Sequence, residues 1–328
     1  MSIEWTRKIG SEASARLFER VRSAVCNLDI AMTRLIHLSD LHFGALDAAP
    51  TDALPDYLRS LTGDVVVVSG DLTQRARPDQ FSTAVDFLRR LGPPIVAVAG
   101  NHDVPMYAFW ERFAAPLRRY RKRAQPFVLP GWSGDGVFVG GLESARPFVP
   151  VFRGFWKDGR LTSQQISQFQ QLRSGWQGGL AVAVVHHPLI GAPGRGDEGV
   201  LVGRDAAAER LVRAGVDVVL SGHLHASYSG SPPGQPGLLC VLAGTPTSSR
   251  RRHGPNGVEY PNAFNRLIFR GGDLVIEVHE YAGRAWRLVS RVGWEKSGGA
   301  WMNKELEVGF LLETGGVGAP GPVNSEEN

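Results

Sequence analysis

Cysteine is nearly absent from this chain. Two residues in 328, Cys26 and Cys240, supply neither a disulfide framework nor a thiolate-rich zinc site, which points to a reducing compartment. Long apolar runs are also missing. No stretch approaches the ~18 consecutive apolar residues of a membrane-spanning helix, and the N-terminus has no apolar core like that of a signal peptide. These absences lead us to expect a soluble cytoplasmic protein. No internal repeat stands out.

Strong net charge is missing too: the formal balance is +4. The cations cluster instead, in "RRYRKR" (118–123) and "RRR" (250–252). A solvated surface is the plain reading of the first run, and attraction of an anionic substrate or a membrane headgroup is the sharper one. The basic residues are not interleaved with a row of stacking aromatics, so a nucleic-acid partner is not expected.

The composition is that of a globular protein, 43% hydrophobic and 21% charged, and the chain is long enough for a large core in one big domain or two small ones. Forty glycines and 21 prolines suit short strands joined by tight turns. Residues 1–31 show weak helical periodicity around "ASARLFERVRSAV" and then break. Met32 precedes "TRLIHLSDLHFG", where the strong pattern begins, so residues 1–31 read as an N-terminal extension, either a loosely attached helix or sequence ahead of a native start at Met32.

From residue 34 onward, buried-strand runs alternate with amphipathic helices. The strands are "RLIHL", "DVVVVSG" (64–70), "PPIVAVAG" (93–100), "LAVAVV" (180–185) and "VDVVLSG" (216–222). Helices are predicted over 78–91, 162–174 and 204–215. The pattern defines an α/β core with much parallel pairing. After 237 the texture becomes all strand, in "GLLCVLAG", "FNRLIFR" and "DLVIEVHEY". We expect that segment to complete a second sheet packed on the first. The tail from 315 has no apolar periodicity and reads as disordered.

All five strand ends deliver side chains able to bind metal: Asp40 and His42, Asp71, Asn101 with His102, His186 with His187, and His223 with His225. Ligands gather beyond the carboxyl ends of strands in α/β sheets. The Asp-x-His and His-x-His spacings fit strand alternation, which points residues two apart the same way. A lone histidine beside a strand is usually structural, and His37, His253 and His279 are read so. Six of the nine histidines, however, fall in the five motifs. Carboxylate, imidazole and amide donors without thiolates favour manganese, iron or zinc. The donors outnumber the needs of one ion and suit two, about 3.5–4 Å apart and bridged by a carboxylate.

The ordered blocks "SDLHFG", "GDLTQRA", "GNHD", "HHP" and "GHLH" resemble the five signature blocks of the calcineurin-like metallophosphoesterase superfamily, over roughly residues 35–245. Within it the chain looks most like the bacterial branch of cyclic-nucleotide and glycerophosphodiester phosphodiesterases. The resemblance implies a four-layer αββα sandwich over residues 32–300, with 301–328 as a tail. It implies that Asp40, His42 and His225 hold a first metal, that Asp71 bridges, and that Asn101, His186 and His223 complete the second, with His187 behind them. His102 would act on the substrate without binding metal, oriented by Asp103. The implied reaction is in-line attack of a metal-bound hydroxide on a small phosphodiester. Two other readings remain: a pyrophosphatase acting on a UDP-linked acylated sugar, with residues 107–123 touching a membrane, and a non-catalytic binding module.

Overall fold

The run Val65–Val68 is apolar at every position because both of its faces are covered. Val65 and Val67 join one core cluster, while Val66 and Val68 join another on the opposite face. This strand, β2 (Val65–Ser69), lies between β1 (Met32–Leu38) and β3 (Ile95–Val98), all three parallel. The computed structural model describes residues 32–148, 157–176, 178–193, 196–250, 253, 257 and 259–304. The expected extension 1–31 and the tail from 315 lie outside the described residues, as do Arg251 and Arg252.

Helix α1 (Ala48–Ser60) connects β1 to β2, and α2 (Pro78–Arg89) connects β2 to β3. The periodic pattern predicts α2 but not α1, which carries Pro50 and Pro55. Pro50 sits in the first turn, where a missing N–H has no intrahelical acceptor to leave unpaired. After β3 come a 3₁₀ turn (Asn101–Asp103) and two short surface helices, α3 (Phe109–Ala114) and α4 (Arg118–Arg123). The first basic run is therefore helical. Tyr120 is buried beneath it, and Arg118 and Arg119 pair with Glu111.

The second sheet holds β4 (Gly131–Gly134), β5 (Val137–Gly141), β6 (Leu180–Val184), β7 (Val218–Ser221), β8 (Tyr228–Gly230) and β9 (Leu239–Leu242), in the order β4-β5-β6-β7-β9-β8. Strands β5, β6, β7 and β9 run parallel. Helices α5 (Ser163–Arg173) and α6 (Arg204–Arg213) cover its outer face on Phe169, Ala208 and Leu211. Thr162 caps α5 by accepting from the Gln165 amide. The two sheets meet through Leu35, Val67, Val96 and Val98 on one side and Val139, Val182, Val218 and Val241 on the other. Leu54, Phe81 and Leu88 fill the outer layer under α1 and α2. The order of layers is helix, sheet, sheet, helix, as the resemblance implies.

One expectation needs correction. Most of the strands after 237 do not complete the second sheet. Only β9 joins it, beside β7. β10 (Ala263–Arg270) returns to the first sheet and pairs antiparallel with the free edge of β1. β11 (Asp273–Ala282), β12 (Ala285–Ser297) and β13 (Ala300–Lys304) extend that sheet, whose order is β13-β12-β11-β10-β1-β2-β3. An open edge beside β1 offers unpaired backbone groups, and three antiparallel connections supply strands to it. Strand pairing also passes the expected boundary at 300: Trp301 on β13 is buried and its indole donates to the Asp217 carbonyl.

Register across β10, β11 and β12 places Arg266, Glu277 and Arg291 side by side. Glu277 is 1% exposed and accepts from Arg266 (3.1 Å) and Arg291 (2.8 Å), with His279 at 3.6 Å. Burial alone would raise its pKa, but these neighbours hold it down at about 2. The folded value lies below the unfolded value of about 4.3. The stabilisation is therefore fully present above the unfolded value and is lost as pH falls toward the folded one. Glu277→Gln leaves Arg266 buried without a counter-ion and is expected to cost about 3–5 kcal/mol at neutral pH. Urea denaturation should show that deficit shrinking as pH drops from 5 toward 2; a deficit independent of pH would contradict the ion-pair account.

Candidate metal centre

The seven residues Asp40, His42, Asp71, Asn101, His186, His223 and His225 are all buried and come together beyond the ends of β1, β2, β3, β6 and β7. The alternation argument for their spacing does not hold. Asp40 (φ 52°), His42 (φ 49°), Asp71 (φ 51°), His223 (φ 68°) and His225 (φ 53°) have left-handed backbone, which side-chain-bearing residues seldom adopt. Both Asp-x-His and His-x-His therefore lie in tight loops past the strand ends. Ladder-like bonds pin the first loop to the second: Asp40 N to Gly70 O, His42 N to Asp71 O, and Phe43 N to Leu72 O. Backbone strain of this kind collects at functional sites, where surrounding bonds impose it.

Two groups share the cluster. Asp40, His42 and His225 form one: His225 Nε2 is 3.1 Å from both Asp40 Oδ1 and His42 Nε2. In the other, His186 Nε2 lies 3.4 Å from Asp71 Oδ2, 3.1 Å from Asn101 Oδ1 and 3.3 Å from His223 Nδ1. Asp71 Oδ2 is also 3.8 Å from His42 Nε2, so one carboxylate faces both groups.

The tautomers follow from acceptors that cannot donate. His225 Nδ1 gives its proton to the Arg250 carbonyl and His186 Nδ1 gives its proton to the Ser69 carbonyl, each at 2.8 Å. In its neutral form each ring presents an Nε2 lone pair to carboxylate, amide or imidazole acceptors. Among the described residues, Asp40 Oδ1 has no hydrogen-bond partner. A buried set of converging acceptors is unfavourable unless a cation enters. Asp71 is held well below the usual carboxylate range against its burial, chiefly by His186. With no cation between them, Asp71 raises His186 to about 9 against the ring's own burial, so a proton on the ring offsets the carboxylate and a metal would displace it. The donor set fits divalent or trivalent ions.

The backbone leaves room for this cluster by omitting side chains. A methyl group at Gly222 would overlap Ser39 Oγ and Asp40 Oδ2, and one at Gly100 would overlap Asp71 Oδ1. Asp40 Oδ2 is fixed by the Ser39 hydroxyl (2.7 Å) and the His223 amide (2.8 Å). Thr245 and Thr247 donate to the carbonyls of Asp40 (2.7 Å) and Leu41 (2.6 Å). Sequence reasoning missed both threonines. The signal was available, since "AGTPT" ends a sixth buried strand, β9, as the other motifs end theirs.

His187 lies behind the cluster. Its Nε2–H donates to the Lys157 carbonyl (2.9 Å) and its Nδ1 accepts from the Ser144 hydroxyl (2.8 Å), so neither nitrogen is free for metal. His37 and His279 are buried away from it, bonded to Ser69 Oγ and to the Tyr57 hydroxyl.

The expected pairing of Asp103 with His102 needs correction. Asp103 accepts from the amides of Leu72, Thr73 and Gly100 and from the Thr73 hydroxyl. Four donors from the two strand-end loops fill the carboxylate, which ties those loops together and leaves nothing to orient an imidazole. The Gln74 carbonyl does that instead, accepting from His102 Nδ1 at 2.8 Å. His102 is half-buried, edge-on to His42, and grouped with His42 and Asp71 where the cluster opens to a cleft.

Residues 33–227 match the model of the calcineurin-like phosphoesterase family, and the chain belongs to that family. Among curated proteins it is 28% identical over 211 residues to a "probable cyclic nucleotide phosphodiesterase" of Synechococcus, covering 60% of this chain and 76% of that protein. It is 35% identical over 82 residues to a glycerophosphodiester phosphodiesterase of Enterobacter lignolyticus, 21% of this chain and 29% of that one. The fold is shared with a dimetal phosphatase from Danio rerio (TM-score 0.54, 13% identity, 79% of this chain and 99% of that one). It is also shared with a purple acid phosphatase from yellow lupin (TM-score 0.57, 15% identity, 80% and 53%).

Gly222→Ala forces Ser39 and the Asp40 carboxylate aside. Metal retained after dialysis should fall by more than about tenfold, with stability lowered by about 1–3 kcal/mol. Gly175→Ala, where an added methyl meets open space, is the control and should change neither. Elemental analysis and chemical denaturation read both; full metal retention in Gly222→Ala would mean that this close approach does not shape the site.

Proposed function

We propose that the protein hydrolyses small nucleotide-like or glycerol phosphodiesters with two metal ions. Asp40, His42 and His225 hold one, Asn101, His186 and His223 hold the other, and Asp71 serves both. The position of Asp71 Oδ2 between His42 and His186 carries this reading. Manganese, iron or zinc suits the donors, and the cytoplasm suits a chain with two cysteines. When bound, such ions neutralise phosphoryl oxygens and acidify a coordinated water.

The side chains do the rest. His225 and His186 keep their Nε2 lone pairs turned inward because backbone carbonyls hold their Nδ1 protons. His102 is held the same way by Gln74, so its Nε2 is the atom that can exchange a proton at the open side of the cluster. In the protonated form it donates to the departing alkoxide. Asp103 acts at one remove, by clamping the loops that carry Asp71 and His102.

Asp71→Ala should release metal from both positions, whereas an Asn101 variant should weaken mainly one. Two tightly held ions per chain in Asp71→Ala, by elemental analysis, would refute the shared carboxylate. His102→Ala should keep its metals and its denaturation midpoint but lose rate, by about 10²–10⁴-fold on alkyl diesters. An activated aryl diester, whose leaving group needs no proton, should lose less. Equal losses on both substrates would remove His102 as the acid.

A further inference from the structure

Beyond the metal ligands the site opens into a cleft of about 500 Å³, where Asn101 and His102 meet three arginines, Arg75, Arg77 and Arg250. All three are exposed, and among the described residues no carboxylate lines the cleft. Among the described residues none of the three makes an ion pair, whereas Arg59, Arg89, Arg118, Arg119 and Arg204 each have a carboxylate partner. Like charges gathered without counter-ions repel one another, an arrangement that favours the arrival of an anion.

The backbone that carries two of the three cations, Arg75 and Arg77, is held close to His102. The Gln80 side chain, itself buried, accepts from the amides of Arg75 (2.9 Å) and Arg77 (3.4 Å). Gln74, which holds His102, immediately precedes Arg75, so one pinned turn orients the acid and places the backbone of these two arginines beside it. The Arg75 guanidinium lies 5.8 Å from the centroid of the Tyr107 ring, which also lines the cleft.

A simple phosphodiester carries one negative charge, and the metal centre already answers it. Three further guanidiniums suit a second, dianionic group, since the planar fork matches phosphate oxygens in pairs. We infer that this cleft is a subsite for a second phosphate group borne by the substrate, so that the preferred substrates are phosphodiesters carrying an additional phosphomonoester. The inference rests on the phosphodiesterase reading above.

The test uses the full chain loaded with manganese. Its substrates are thymidine 5′-(4-nitrophenyl phosphate) and the same ester with a 3′-phosphate, which share one leaving group. The 3′-phosphorylated ester should show kcat/KM about tenfold higher or more, the scale of one charge-assisted hydrogen bond. The ratio should fall to about one in Arg75→Ala/Arg77→Ala/Arg250→Ala and shrink with added salt. These side chains are exposed, and circular dichroism checks that the variant folds.

Calorimetric titration with thymidine 3′,5′-bisphosphate and thymidine 5′-phosphate gives a second readout. The bisphosphate should bind the wild-type protein about tenfold tighter and the variant no tighter. Equal binding of the two nucleotides, or a preference that survives in the variant, overturns the subsite. Activation of the singly charged ester by inorganic phosphate, with no preference for the doubly charged one, overturns it in favour of a free anion. Hydrolysis of neither ester, with the binding preference intact, overturns the phosphodiesterase reading and leaves the subsite standing.

Discussion

The Asp40 and Asp71 carboxylates, Asn101 and the inward-facing nitrogens of His186 and His225 converge in a buried space. These groups are shielded from bulk solvent, and an uncompensated carboxylate in such a place is costly. A cation resolves the conflict, so metal binding and the stability of this end of the fold are coupled. The surrounding features follow from that need. The left-handed residues at the strand ends turn the donors inward, and Gly100 and Gly222 vacate space for the carboxylates. Thr245, Thr247 and the backbone carbonyls of Ser69 and Arg250 hold the loops and rings in place.

The two sheets divide the donors between them. The first supplies Asp40, His42, Asp71 and Asn101 from β1, β2 and β3, and the second supplies His186, His223 and His225 from β6 and β7. The distance between these halves is therefore set by the core between the sheets, where Val67 and Val96 face Val182 and Val218. Close-packed interiors transmit strain, so the valines that look remote from chemistry fix the ligand separations. β10–β13 add to this by closing the free edge of β1 and carrying the Arg266–Glu277–Arg291 row.

The cleft gives the site its direction. His102 is the part of the cluster that meets it, and Gln74 fixes both the histidine's tautomer and the start of the arginine-bearing turn. Family membership accounts for the metal cluster. Substrate preference depends on what lies beside that cluster, and here that is a set of cations with no acid among the described residues of the cleft.

The sequence by itself determined the α/β class, the five strand ends and the residue types placed there. Periodicity of apolar residues and the chemistry of Asp, Asn and His are local properties, and they are written in adjacent letters. It also marked α2, α5 and α6, but Pro50 and Pro55 concealed α1. The tertiary structure alone decided that β10–β13 rejoin the first sheet, because strand partnership depends on which edge is open. It alone decided that Asp103 clamps loops while Gln74 orients His102, because hydrogen-bond partners about 30 residues apart in sequence are chosen by loop geometry. It also replaced strand alternation with left-handed turns as the reason Asp40 and His42 share a site: bonds to the β2 loop impose that backbone, and no spacing in the sequence records it.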